Sequence, residues 1–257
     1  MIKKKWFMQN KNFKNKIIGI IPARYGSTRL PGKLLKLILD KPVIQHTYES
    51  SKKSQRLDDI IIATDSEEIQ NFAKRFQATS VMTSIDCING TYRIIDSMKR
   101  YPNLFDADII VNIQGDHPFI SSKTIDTCID VLEKDENAMI STPVCKIENV
   151  KDYLSPHVVK CVFDKDFNAL YFSRSPIPYS KNFKTAYQHI GLYAYRVKFL
   201  KEFAKLKFSF LQKMEDLEQL SFLENGYTIK IAITDKICLS VDVESDLEKV
   251  KNYICQK

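Results

Sequence analysis

The chain has 257 residues, 44% of them hydrophobic and 27% charged, which is enough for one large domain with a buried core. Its formal net charge is +8, but residues 1–16 carry six lysines and no acidic residue, so only +2 remains when those six are set aside. A body so nearly balanced argues against broad electrostatic binding of nucleic acid, and no apolar run reaches the ~20 residues that span a bilayer.

The first 16 residues lack the long apolar stretch and small-residue cleavage site of a secretory signal. Trp6, Phe7, Met8 and Phe13 among the lysines leave an organelle-type presequence or a membrane-surface contact open, and a disordered extension is the expectation. The domain proper is expected over residues 17–257. The six cysteines form no C-x-x-C pair, which fits buried thiols in a reducing, cytoplasmic setting better than a zinc knuckle or a disulfide framework.

In chain order, Ile17 to Ile21 reads as a buried first strand that breaks at Pro22 into a loop. That loop holds Arg24, Arg29 and Lys33, the hydroxyls of Ser27 and Thr28, and two glycines, Gly26 and Gly32. Cations on a glycine-bearing loop after a first strand suit a polyphosphate. Two familiar phosphate loops are excluded by spacing. Five residues separate Gly26 from Gly32 and Leu34 follows Lys33, which is not Walker A, and there is no G-x-G-x-x-G.

A helix follows over Pro42 to Ser54, then a strand from Asp59 to Ala63 with Thr64-Asp65-Ser66 capping a helix from Glu67 to Phe76. Thr79 to Met82 is a short strand, Gly90 to Arg100 a helix, and Asp108 to Ile113 a strong strand. Ser121 and Ser122 cap a further helix that runs to about Lys134. This alternation predicts βαβ units and an α/β fold with a mostly parallel central sheet flanked by helices, with ligands beyond the C-terminal strand ends.

After Ala138 the pattern changes. Ala138 to Cys145, His157 to Phe163, Ala169 to Ser173 and His189 to Tyr195 read as strands with few helices between them, predicting a smaller antiparallel lobe or sheet extension within about 138–210. Helices over Val197 to Lys205 and Gln212 to Glu224, a strand from Tyr227 to Ile233 and a helix from Glu244 to Tyr253 complete the chain. Only seven glycines are present, and Gly26, Gly32, Gly90, Gly115 and Gly191 all fall in loops of interest, a clustering that suggests close backbone approach.

The segment Pro22 to Lys33 resembles the opening motif of the cytidylyltransferases that activate sugar acids, and in detail that of the 3-deoxy-manno-octulosonate (Kdo) cytidylyltransferases. Gly90-Thr91-x-Arg93, Gln114-Gly115-Asp116, Tyr171-Phe172-Ser173-Arg174, His189-Ile190-Gly191-Leu192-Tyr193, Leu217-Glu218-Gln219-Leu220 and Val241-Asp242 follow in family order. The resemblance implies a nucleotide-diphospho-sugar transferase-like fold and a homodimer. The implied reaction is CTP plus Kdo giving CMP-Kdo and pyrophosphate with Mg2+, for lipopolysaccharide synthesis in a bacterial cytosol.

Under that reading Arg24 and Lys33, assisted by Arg29, hold the triphosphate, and Asp116 with Asp242 holds the metal, two carboxylates suiting an ion that takes few protein ligands. Arg24, Lys33 and Asp116 form the catalytic set. Ala23, Arg24, Asn89, Gly90, Thr91 and Arg93 are the candidate cytosine partners, with a plain helix start as the other reading of Gly90-Thr91. Gln114, Arg174, His189, Tyr193, Glu218 and Gln219 match the family's sugar-binding positions. A satisfied structural histidine and a solvated helix face remain the alternatives for His189 and for the Glu218–Gln219 pair.

The chain departs from the family pattern at His117, Tyr92, Ser221 and Val243-Glu244, where Glu, Glu, Arg and Thr-Pro are usual. The departures near nucleotide and metal bear mainly on which sugar is used. The runner-up is a cytidylyltransferase for a Kdo relative, such as the 8-amino sugar or another nonulosonic acid. The alternative of another class is a non-catalytic nucleotide- or partner-binding relative.

Overall fold

A parallel sheet forms first in the chain because its strands are apolar on both faces. The computed structural model describes residues 15–27, 29–203, 205–206, 209–235 and 239–255, with side chains in the last helix described to residue 252. The readings made for residues 1–14, Thr28 and Cys238 lie outside the described residues.

Strand β1 (Ile17–Ala23) is buried along nearly its whole length. It is followed by two short strands, β2 (Leu37–Ile38) and β3 (Lys41–Pro42), which pair as a two-stranded ribbon before helix α1 (Val43–Ser51). Strand β4 (Asp59–Thr64), helix α2 (Glu67–Arg75) and strand β5 (Thr79–Met82) complete a βαβ unit. Helix α2 starts where Ser66 accepts the Ile69 N–H, and it carries Glu67 and Glu68 in its first turn and Lys74 and Arg75 in its last, as its dipole favours. Helix α3 (Gly90–Arg100), strand β6 (Ile109–Asn112) and helix α4 (Ser122–Lys134) follow.

Next come β7 (Ile140–Ile147), α5 (Val150–Leu154), β8 (Lys160–Phe163), β9 (Ala169–Ser173), β10 (Ala186–His189), β11 (Tyr193–Arg196) and α6 (Val197–Phe203). The chain ends with α7 (Phe210–Glu215), α8 (Gln219–Glu224), β12 (Ile229–Thr234) and α9 (Glu244–Cys255).

Among the described residues the main sheet runs β5-β4-β1-β6-β11-β7-β10-β8-β9, with β12 parallel to β7. The first four are parallel neighbours, and from β11 onward the neighbours in this order are antiparallel. The antiparallel strands thus extend one sheet, and an Asn168–Lys230 bridge ties the region of β9 back to β12. One apolar layer packs α1 and α4 beneath the sheet through Ile44, Ile125 and Ile129, while the opposite layer packs α3, α6 and α8 through Ile94, Phe199 and Phe222.

Two expected elements are divided. Gln212 to Glu224 is two helices, because Asp216 adopts a left-handed conformation (φ 52°) that closes α7. His189 to Tyr195 is two strands, because the chain turns at Ile190 to Leu192, where the Leu192 N–H bonds the Ile190 carbonyl at 2.7 Å. Both breaks place sugar-site candidates at element ends: Glu218 sits just before α8, and His189 and Tyr193 flank the Gly191 turn.

Candidate active site

The loops after β1, β5 and β6 open together at the C-terminal edge of the parallel strands, as open α/β sheets favour. They enclose a cleft of about 280 Å³. The first loop contributes Arg24, Ser27, Arg29 and Lys33; the segment before α3 contributes Cys87 and Asn89, and the helix itself Gly90 and Arg93. The loop after β6 brings Gln114, Gly115 and Asp116, and Asp242 arrives from the segment before α9. Nucleotide and metal candidates from four distant parts of the chain therefore meet.

Two glycines make this convergence possible. Gly32 holds φ at +63°, a left-handed conformation that turns the loop into Lys33. At Gly115 an added Cβ would lie 3.0 Å from the Pro22 carbonyl oxygen, so a side chain there would push the two loops apart by a few tenths of an ångström. Gly115→Ala is expected to destabilise the fold by about 1–3 kcal/mol and to displace Asp116 from Lys33; thermal melting checks the first effect. Gly26 faces open space, so close approach within the protein does not explain it.

At the centre, Lys33 Nζ donates to Asp116 Oδ2 at 2.5 Å and to Asp242 Oδ1 at 3.2 Å. Arg29 Nη2 also reaches Asp242 Oδ1 at 2.8 Å, although its side chain is 63% exposed and its contribution is correspondingly screened. The Val241 N–H bonds the Asp116 carbonyl at 2.9 Å and fixes the two acidic segments side by side. Burial alone would raise the Asp116 pKa, but His117 and Lys33 more than offset it and hold the carboxyl below its usual value. Among the described residues no cluster of three or more His, Cys, Asp or Glu has metal-binding geometry.

The expected cytosine set divides. Asn89 and Gly90 line the cleft, and Asn89 caps α3 by accepting the Tyr92 N–H at 3.0 Å. Ala23 is fully buried, so its side chain makes no cleft wall. Thr91 is also buried, and its hydroxyl donates to Glu218 Oε2 at 2.9 Å. Arg93 borders the cleft, but its guanidinium bonds Asp65 at 2.8 Å, Thr83 at 2.6 Å and the Ser84 carbonyl.

The sugar set divides too. Gln114 lines the cleft, and Gly191 lies close enough that an added Cβ would be 3.6 Å from its side chain. His189, Tyr193, Glu218 and Gln219 lie outside the cleft lining. His189 packs 5.0 Å from Phe172 and 5.4 Å from Tyr193, and its Nε2 lies 2.8 Å from the Thr142 hydroxyl. That enclosure, with some repulsion from His117, lowers its pKa to about 3, so it is a neutral ring. Gln219 Nε2 is buried without a protein acceptor among the described residues. Arg174 stands apart, donating from Nε to the Glu215 carbonyl at 2.8 Å and from Nη1 to the Pro156 carbonyl at 3.1 Å.

Glu218 joins the two halves. Its oxygens accept from Asn89 Nδ2 at 2.7 Å and from Thr91, so the start of α3 is tied to the start of α8. Burial pushes its carboxyl up to about 7, against the smaller downward effects of those two hydrogen bonds. A carboxyl raised from 4.5 favours the folded state most strongly while protonated, so this contribution is full below pH 4.5 and is lost as pH rises to 7. Relative to wild type, Glu218→Gln is expected to gain stability between pH 5 and pH 8, on the order of 3 kcal/mol at most. Denaturant melts across that range check it.

The departures from the family pattern fall into place individually. His117 Nε2 lies 3.8 Å from Asp116 Oδ1, beside the acidic pair. Tyr92 packs on Phe203 at 5.2 Å and is not part of the cleft lining, while Ser221 donates to the Glu218 carbonyl at 2.9 Å. In the sequence Asp65 reads only as part of the Thr64-Asp65-Ser66 cap of α2. Its place at the end of β4, where such sheets hold ligands, was the available signal.

Residues 18–237 match the sequence profile of the family described as Cytidylyltransferase. A 3-deoxy-manno-octulosonate cytidylyltransferase from Protochlamydia amoebophila is 43% identical over 255 residues, covering 97% of this chain and 98% of the relative. One from Thermodesulfovibrio yellowstonii is 43% identical over 244 residues, covering 90% and 95%. The solved structure of a CMP:2-keto-3-deoxy-manno-octonic acid synthetase complexed with CTP superposes with a TM-score of 0.88 at 35% identity, covering 94% of this chain and 99% of that one.

Proposed function

This chain belongs to the 3-deoxy-manno-octulosonate cytidylyltransferase family, and from that premise we propose that it transfers CMP from CTP to the anomeric hydroxyl of Kdo. The observation that carries the reading is the convergence of Arg24, Arg29 and Lys33 with Asp116 and Asp242 in one cleft, where Lys33 contacts both carboxylates. Cations matched to a triphosphate and carboxylates matched to a metal ion meet there.

The sugar hydroxyl oxygen attacks the α-phosphorus in line and gives up its proton to solvent, the bond between the α-phosphorus and its bridging oxygen breaks, and pyrophosphate leaves. Positioning and charge neutralisation supply most of the catalysis in such a transfer. Lys33 and Arg29 neutralise the departing phosphates, and Arg24 sits at the exit of β1 to orient the nucleotide. Asn89 and Gly90 border the base side of the cleft. Gln114 lines the cleft and supplies a hydrogen-bond partner for a polyhydroxylated acid, whereas His189 and Gln219 match the family's sugar-binding positions but lie outside that lining. Arg174 matches the family's sugar-binding set, and here its guanidinium is held by the Glu215, Pro156 and Asp216 carbonyls.

The donor set fits Mg2+: two carboxylates already share one ammonium, and a hard cation with few protein ligands takes phosphate and water oxygens for the rest. Asp116 and Asp242 would hold the ion, which when bound supplies charge neutralisation at the α-phosphate. The family resemblance supports a homodimer working in the cytosol towards lipopolysaccharide; no helix among the described residues is long and apolar enough to cross a membrane.

Pyrophosphate release from CTP and Mg2+ across a panel of ulosonic acids tests the reading. The expected result is release with Kdo that exceeds release with the 8-amino sugar and with other nonulosonic acids. Silence with every acid, in folded protein, would overturn it.

A further inference from the structure

Asp65 is placed to act on the nucleotide without lining the main cleft. It follows β4 directly, and its side chain is only 8% exposed. Its two oxygens point in different directions. Oδ2 accepts from Arg93 Nη2 at 2.8 Å, and Oδ1 accepts the backbone N–H of Tyr25 at 3.0 Å. Tyr25 lies between Arg24 and Gly26, in the loop that carries the triphosphate cations.

Arg93 is held in its turn. Its side chain is 3% exposed, and Nη1 donates to the Thr83 hydroxyl at 2.6 Å. The Thr83 N–H bonds the Thr64 carbonyl at 2.8 Å, so the ends of β4 and β5 are locked together beneath it. The path therefore runs from the rigid ends of two strands, through a buried ion pair, to one backbone N–H of a loop whose neighbouring Arg24, Tyr25 and Gly26 are all exposed. Hydrogen bonds to a charged acceptor are stronger than neutral ones and fix geometry more tightly.

We propose that Asp65 is a positioning residue for CTP: clamped by Arg93, it anchors the Tyr25 backbone and so sets the direction in which Arg24 meets the nucleotide. On this account Arg93 serves the nucleotide through Asp65 rather than through direct contact. The inference rests on the proposed CTP site and assigns it a supporting residue that makes no contact with the sugar half.

Calorimetric binding of CTP, together with steady-state KM values for both substrates, tests it on three variants. Asp65→Ala removes both anchors and is expected to weaken CTP binding about tenfold while leaving the sugar KM within about twofold. Asp65→Asn keeps an acceptor for the Tyr25 N–H but gives up the charge that holds Arg93, and a loss of about threefold is expected. Thr83→Val removes the anchor that holds Arg93 against Asp65 and is expected to weaken CTP binding about threefold with the sugar KM unchanged; unaltered CTP affinity in this variant would count against the path.

Should the alanine variant fail to fold, the asparagine and Thr83→Val proteins decide between them. A folded Asp65→Asn protein with wild-type CTP affinity would overturn the inference, as would equal losses for CTP and sugar, which a purely structural role produces. Wild-type protein that binds no CTP would instead overturn the functional reading, and this inference with it.

Discussion

Asp116→Asn is expected to fold and to lose about three orders of magnitude in kcat, the scale seen when one preorganised electrostatic partner is removed from a reacting centre. The substitution keeps the shape of the side chain and removes its charge. Lys33, now 2.5 Å from Asp116, keeps Asp242 as its partner at 3.2 Å, so no ammonium is left buried and unpaired. The stability cost is therefore expected to stay near about 1 kcal/mol, since these side chains are 15–34% exposed and their attraction is partly screened. Steady-state rates measured beside a thermal melt separate the two effects. Wild-type turnover in the variant would remove Asp116 from the metal and catalytic roles.

Lys33→Met is the second large effect, and it reaches the same centre from the other side. Loss of the ammonium removes a triphosphate partner, and kcat/KM for CTP is expected to fall about 100- to 1000-fold. It also leaves Asp116 and Asp242 facing each other, with the exposed Arg29 as the remaining cation on Asp242. Two like charges at that range repel, and a divalent ion relieves the repulsion. The variant is expected to be less stable than wild type by about 1–3 kcal/mol without metal, and to gain more from added Mn2+ in a thermal melt. Equal metal-induced shifts in the two proteins would mean that Lys33 does not stand between the carboxylates.

Both effects depend on an arrangement only partly legible in the sequence. The elements with strong local signals were read closely. Asn89 and the apolar spacing after it define α3 over Gly90–Arg100, and the β-branched runs define the parallel strands. Elements governed by a single residue were not. Asp216 breaks a helix by entering a left-handed conformation that Asp tolerates but does not advertise, and the turn at Ile190 to Leu192 divides one apolar run into β10 and β11. The ribbon of β2 and β3 has only two residues per strand, too few to show a period.

The site shows the same division. The cationic loop was evident from its own composition, because its residues are neighbours in sequence. The contact of Lys33 with Asp116 spans 83 positions and that with Asp242 spans 209, so the family's motif order, not spacing, brought them together beforehand. Arg93 looked like a nucleotide ligand because its charge is visible in the sequence, whereas its commitment to Asp65 and Thr83 is tertiary. Glu218 reads as a polar helix position, but the break at Asp216 carries it onto Asn89 and Thr91.

The most direct measurement follows phosphorus. Purified protein with CTP, Kdo and MgCl2 is monitored by 31P nuclear magnetic resonance. The account predicts that the CTP signals are replaced by pyrophosphate and by a sugar-linked phosphodiester in equal amounts, with neither formed when Kdo is left out. CTP that persists unchanged, or that yields free CMP without a phosphodiester, would contradict it.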